Sequence, residues 1–218
     1  MNQLVFKFPF KTTYFEKDFF VSKNNFDAYR LIESWPKWPN KLINISGPKG
    51  CGKTHLTNIL SKKLKLLSVN ASEFDEKINI LVENFDCIVI ENYEGNISEN
   101  LLYSFINQVL QLNKSIIINS LTNIKNLKIN LIDLKSRLSS FTEIIISLPT
   151  DDLIRVIISK TFSDKQIDLS KKNLEFIIKN IERSYDKIFK FIKDIDNISL
   201  STGKSININL IKKVLSNE

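Results

Sequence analysis

The chain has 218 residues, 43% hydrophobic and 25% charged, which fits a folded α/β core with a small second unit and excludes a disordered chain. Its 31 basic and 24 acidic residues leave a net charge of +7, yet the lysines are scattered among acids as on solvated faces. A basic balance alone speaks only of non-specific attraction to polyanions, so direct DNA binding is not favoured.

Residues 1–13 read as an extended leader alternating Leu4, Phe6, Phe8 and Phe10. Asn24–Asn25 can cap a helix through Ala28, Leu31 and Ile32, which Trp35-Pro36-Lys37-Trp38-Pro39-Asn40 breaks. Leu42–Ile45 reads as a buried strand and Thr54–Leu64 as a helix. Then come a strand at Leu66–Asn70, helix-like sequence over Ser72–Asn84 and an apolar strand at Cys87–Ile90. Helical spacing over Leu101–Leu112 and strands at Ser115–Ile118 and Ile144–Leu148 complete the series. Short apolar strands alternating with amphipathic helices predict a parallel sheet covered on both faces. After Pro149 the pattern is helical only, over Asp151–Phe162, Lys171–Ile181, Tyr185–Leu200 and Asn209–Leu215. The expected organisation is a leader at 1–13, an α/β core at 14–149 and a helical unit at 150–218. No apolar run approaches bilayer length, and the start of the chain has no signal-peptide pattern. Cys51 and Cys87 make no disulfide framework and, with one His, no zinc ligand set. A cytoplasmic protein without membrane contact is expected.

Gly47-Pro48-Lys49-Gly50-Cys51-Gly52-Lys53-Thr54 satisfies G-x-x-x-x-G-K-[ST] between a predicted strand and a predicted helix. Such a loop turns backbone N–H groups toward phosphate oxygens, and the helix N-terminus adds positive potential. Lys53 is expected to reach the β- and γ-phosphates of ADP or ATP, and Thr54 to hold Mg²⁺. Glu91, ending the strand Cys87–Ile90, is the second candidate Mg²⁺ residue. Its neighbour Asn92 can orient water but cannot take a proton, so the chain's own ATP hydrolysis is expected to be weak or absent. Asn119 and Ser120 end the next strand, as a γ-phosphate sensor or as turn residues. Arg137 could stabilise charge on a neighbouring subunit's nucleotide, or simply pair on the surface.

Together these residues resemble the AAA+ class, specifically the DnaA replication initiators and, more closely, their short Hda-type relatives. Phe15–Asn25 is similar to the segment that borders adenine, which implies Phe20 and Val21 at the base. Gly47–Leu56 is similar to the family's loop and includes His55. Leu134–Leu138 resembles the arginine-finger box, with Arg137 as the finger acting in trans. The helices after residue 150 resemble the lid, with Glu182-Arg183-Ser184-Tyr185 near its second sensor. The resemblance implies an AAA+ fold, a five-stranded parallel sheet between helices with a C-terminal all-α lid, and a possible homo-oligomer. The departures are Glu91-Asn92 in place of an acid-rich pair, and Asp186, beside Lys187, where initiators carry a lid arginine. Initiators continue into a DNA-binding domain, whereas this sequence stops at Glu218. Gln3-Leu4-Val5-Phe6-Lys7-Phe8-Pro9 is similar to the sliding-clamp-binding motif of the Hda type, with Gln3 as anchor and Leu4, Phe6 and Phe8 as apolar contacts. The implied function is negative regulation of replication initiation: bound to the sliding clamp, the protein would stimulate ATP hydrolysis on a DnaA-type initiator. The alternative is a DNA-binding AAA+ replication or repair accessory or loader.

Overall fold

Isoleucine-rich strands bury both faces only when helices cover a sheet on either side, and this constraint organises the α/β part of the chain. The structure, a computed structural model, describes residues 19–202 and 205–216. Gln3, Leu4, Phe6 and Phe8 of the leader lie outside the described residues. The chain divides into two compact units, which meet in sequence between Ser147 and Leu148.

The first unit holds five strands: β1 (Leu42–Ser46), β2 (Leu66–Asn70), β3 (Cys87–Tyr93), β4 (Ser115–Ser120) and β5 (Thr142–Ile145). They form one parallel sheet in the order β2-β3-β4-β1-β5. Every residue of β1 and β4 is buried. Leu42, Ile88, Ile90, Ile116 and Ile118 enter one core with Leu102, Phe105, Ile106 and Val109 of α4 (Glu99–Gln111) and with Leu134 and Leu138 of α5 (Ile132–Ser139). Their alternates Ile43, Ile45, Val89 and Ile117 are equally buried and point to the opposite face. There α1 (Phe26–Glu33) packs against α2 (Lys53–Leu60) and β5.

The predicted parallel five-stranded sheet with flanking helices is what the chain forms, although several boundaries move. Helix α2 ends at Leu60 instead of continuing to Leu64, because the N–H groups of Lys62 and Lys63 bond three residues back, at 3.2 and 2.8 Å, and tighten into a turn. Ser72–Asn84 is not one helix. It breaks into the 3₁₀ turn Ala71–Glu73, the short α3 (Ile78–Leu81) and a second 3₁₀ turn, Val82–Asn84. Asn70 and Asp75 accept the N–H groups of Ser72 and Lys77, at 3.1 and 2.9 Å, which offers the backbone an alternative to helical bonding. Strand β5 starts two residues and ends three residues earlier than predicted, and Ile146 follows it with its N–H on the Ser46 carbonyl at 2.8 Å. Asn25 stands at the N-cap position of α1, but its side chain holds the preceding loop. It accepts from Ser22 N–H and donates to the Phe20 carbonyl, both at 2.8 Å.

The second unit is helical: α6 (Asp151–Asp164), α7 (Lys171–Asn180), α8 (Tyr185–Thr202) and α9 (Ile208–Ser216). Thr150 and Ser170 cap α6 and α7 through Leu153 N–H and Asn173 N–H. Ile154, Ile158, Phe162, Ile177, Phe191, Ile195 and Ile211 form its own core. No helix among the described residues is long and apolar enough to cross a membrane.

Phe105 is fully buried, with its ring edge-on to Phe74 at 4.9 Å. Phe105→Ala is expected to cost about 3–5 kcal/mol of stability. Urea unfolding should show the loss as a lower midpoint at unchanged slope.

Candidate nucleotide site

The loop between β1 and α2 stands at the C-terminal edge of the sheet, where open α/β sheets bind their ligands. Gly50 and Gly52 adopt φ of 79° and 99°, values that favour glycine. Gly47 has no room for a side chain, since a Cβ there would lie 2.6 Å from the Ile146 carbonyl oxygen. Its N–H donates to the Ser120 carbonyl at 3.2 Å, which ties the loop's first residue to the end of β4. The Lys53 ammonium folds back over the loop and donates to the Gly47 and Pro48 carbonyls at 2.6 and 3.0 Å. Cys51 Sγ lies 3.7 Å from it. Burial pushes the Cys51 thiol up, outweighing the opposing pull of Lys53. The thiol therefore stays protonated at neutral pH and leaves the lysine charge uncompensated.

Glu91 collects the polar side chains of this edge. The residue is 8% exposed, and its carboxylate accepts from Thr54 Oγ1 at 3.1 Å, Asn119 Nδ2 at 3.0 Å and Thr57 Oγ1 at 3.2 Å. Thr54, Glu91 and Asn119 thus come together, joining α2, β3 and β4. Thr57 was not singled out in the sequence, although it sits one helical turn beyond Thr54 and shares its face. The Asn119 Oδ1 is buried and has no hydrogen-bond partner among the described residues. Asn92 is exposed, with φ of 57°, beside an irregularity where the β3–β4 register shifts between Ile90 and Tyr93. An asparagine tolerates that left-handed backbone, so the amide beside Glu91 has a conformational role that the sequence reading did not anticipate.

The aromatic ring packed against the loop is that of Phe19, next in sequence to Phe20 and Val21, for which the resemblance implied a place at the base. A Cβ on Gly52 would lie 2.9 Å from the Phe19 ring. That ring sits edge-on to His55 at 5.3 Å and parallel to Tyr29 at 6.0 Å. Val21 is 44% exposed and Phe20 half-buried.

Arg137 lies on the exposed side of α5, apart from this cluster in its contacts, and donates through Nε to Asn107 Oδ1 of α4 at 2.9 Å. The Glu99 carboxylate, at the start of the same α4, accepts Asn130 N–H at 3.0 Å and Leu131 N–H at 2.7 Å, just ahead of α5. In the helical unit, Arg183 is bonded twice to Asp151, at 3.0 and 3.3 Å, and Lys187 lies 3.9 Å from Glu182.

For Mg²⁺, the Thr54 hydroxyl and the Glu91 carboxylate are adjacent hard oxygen donors of the kind this ion accepts alongside phosphates and water. No group of three or more His, Cys, Asp or Glu that could hold a metal occurs among the described residues.

No family model matches the chain. The chromosomal replication initiator DnaA of Borrelia turicatae is 28% identical to it, over 96% of this chain and 54% of the relative. The chain spans about half the length of the curated relatives it matches. Domain III of Thermotoga maritima DnaA has the same fold, with a TM-score of 0.80 at 19% identity over 96% of this chain and 98% of that one. Aquifex aeolicus DnaA with bound AMPPCP gives a TM-score of 0.70 at 19% identity, over 86% of this chain and 66% of that one. The fold is therefore that of DnaA domain III, and the sequence is similar to DnaA initiators along almost all of the chain.

Proposed function

We propose that this chain binds ADP or ATP with Mg²⁺ in the Gly47–Thr54 loop, and that it regulates DnaA-type replication initiation by completing a partner's ATPase site. The nucleotide reading is carried by one observation: Thr54 of the loop and Asn119 of β4 converge on the same buried Glu91 oxygen, at 3.1 and 3.0 Å. Mg²⁺ would be held by Thr54 and Glu91 and would neutralise phosphate charge. The loop amides and the α2 N-terminus would receive the phosphates. Lys53, now bonded only to uncharged loop acceptors, would exchange those carbonyls for phosphate oxygens, since charge-assisted bonds are the stronger ones. Asn119 would offer its amide to the γ-phosphate.

The chain's own hydrolysis is read as weak. Both Glu91 oxygens already accept hydrogen bonds, and the neighbouring Asn92 cannot take a proton from water. Arg137 has the opposite character. It is exposed and, among the described residues, held only through Nε, so its terminal nitrogens could meet another subunit's phosphate. The regulator reading also leans on the Gln3–Pro9 motif, which would tether the protein to the sliding clamp and raise its local concentration near loaded DNA. A second reading has a specific support: the curated relatives are initiators themselves, so the chain could be the AAA+ part of an initiator whose Arg137 faces another copy of itself. Stimulated hydrolysis on a separate initiator separates the two.

Lys53→Ala is expected to weaken ADP and ATP binding at least about tenfold by calorimetry, the loss of a charge-assisted contact. Arg137→Ala should abolish stimulation of an initiator's ATPase while leaving the chain's own nucleotide affinity unchanged. Undiminished stimulation would remove the finger role. In a clamp pull-down, Gln3→Ala with Leu4→Ala should lose the clamp, and full retention would exclude the leader as the tether.

A further inference from the structure

The Trp-Pro-Lys-Trp-Pro segment after α1 forms one wall of a cleft of about 410 Å³ at the edge of the sheet where β1, β3 and β4 begin, opposite the Gly47–Thr54 loop. That volume lies within the usual range of ligand pockets. Trp35, Trp38 and Leu112 give the cleft apolar surface, and Lys41, Lys114 and Asp86 give it charge. The two indoles meet edge to face with centroids 4.7 Å apart, and both are half-buried. Trp38 is fixed by its N–H on the Leu31 carbonyl at 2.7 Å. Lys41 is fixed by the carbonyl and the side-chain oxygen of Asn113, the former at 2.7 Å. Two donors of the lining are unused. The Lys114 ammonium and the Trp35 indole N–H have no hydrogen bond or ion pair among the described residues, although both residues are half-buried. Asp86 supplies no counter-charge to Lys114, because its Oδ2 is turned to the Lys65 N–H at 3.0 Å. Lys37, between the tryptophans, and Lys65 are exposed and add positive charge around the cleft. A cation partly out of water without a partner favours an occupant that brings an anion.

We infer that this cleft docks an acidic segment of a protein partner, with an apolar side chain against the indoles and Leu112 and a neighbouring carboxylate on Lys114. Rigid tryptophans in a partly desolvated pocket are the anchors that carry binding energy at protein interfaces, and complementary charge sets register and partner choice. The segment is read through its side chains and is not added to the sheet, because the strand starts have used their backbone donors. Ser115 N–H donates to the Asp86 carbonyl at 3.1 Å, and Ile116 N–H to the Lys41 carbonyl at 2.8 Å. Leu42 N–H donates to Asn40 Oδ1 at 3.1 Å. A nucleic-acid strand is the poorer occupant. It needs open ring faces for its bases, whereas here the edge of one indole covers a face of the other. The cleft shares no residue with the Gly47–Thr54 loop or the Glu91 cluster, so the inference does not rest on the nucleotide reading.

Both tryptophans of the chain line this cleft, so intrinsic fluorescence reports on it. The full chain is titrated with a tryptophan-free peptide, DELFDE, blocked at both ends. The expected result is a saturable blue shift of the emission, half complete below about 1 mM and weakened by added salt. Two further peptides separate the contributions: NQLFNQ, which lacks the charge, and DEAADE, which lacks the apolar side chains. Each should bind at least about tenfold more weakly. Lys114→Glu should raise the half-saturating concentration of DELFDE at least about tenfold, since it sets like charges against each other, while Lys114→Arg keeps the response. Circular dichroism melting shows that each variant is folded. No shift with DELFDE, equal binding of either control peptide, or binding unchanged by Lys114→Glu overturns the inference. So does an equal response to a short oligothymidylate, which would make the cleft a general polyanion site.

Discussion

The site depends on a buried carboxylate at the end of β3 that is satisfied entirely by neutral donors. Taking an acid out of water is costly unless hydrogen bonds replace its hydration. Glu91 obtains them from two threonines of α2 and the amide of Asn119. These bonds fix the first turns of α2 against β3 and β4, and therefore fix the loop ahead of α2. They also leave the pair of Lys53 and Glu91 without a direct salt bridge, so each charge is available to a phosphate or a metal. Removing the acid would not merely delete a ligand. It would leave Thr54 and Asn119 with unmatched donors under the loop, at a cost comparable to the bonds themselves.

The loop itself is held by space as much as by bonds. Gly47 is pressed against the Ile146 carbonyl on one side, and Gly52 against the Phe19 ring on the other. The backbone that would cradle phosphate is thus packed between the end of β5 and the segment ahead of α1. That segment is in turn held by Asn25, which reaches back to Ser22 and Phe20. The glycines of the motif serve two purposes here. Gly50 and Gly52 supply left-handed backbone, and Gly47 and Gly52 supply the absence of a side chain.

How much of this could be read in the sequence follows from which interactions are local. The strands announce themselves because β1, β3 and β4 are buried on both faces and read as continuous apolar runs. The loop Gly47–Thr54 announces itself because its motif fixes residue types at adjacent positions. The sheet order and the pairing of Glu91 with Thr57 and Asn119 are non-local, and no spacing reveals them. Ser72–Asn84 misled because its apolar residues have helical spacing, while Asn70 and Asp75 capture the backbone locally. Helix α5 was visible only as the setting of Arg137. Its eight residues hold two buried leucines, Leu134 and Leu138, too short a pattern to stand out from a loop.

The way Arg137 is held would suit the role in trans proposed for it. A guanidinium on an exposed helix samples many rotamers, and ordering it at the moment of docking would cost side-chain entropy. Helix α4 reduces that cost at two points along its length. Glu99 at its start holds the two backbone N–H groups ahead of α5, and Asn107, two turns on, accepts the Nε–H of Arg137. An amide suits the second position better than a carboxylate would, because it orients the guanidinium without neutralising it. The hydrogen bond takes the side of the group and leaves the fork of terminal nitrogens, the edge that matches two oxygens of a phosphate.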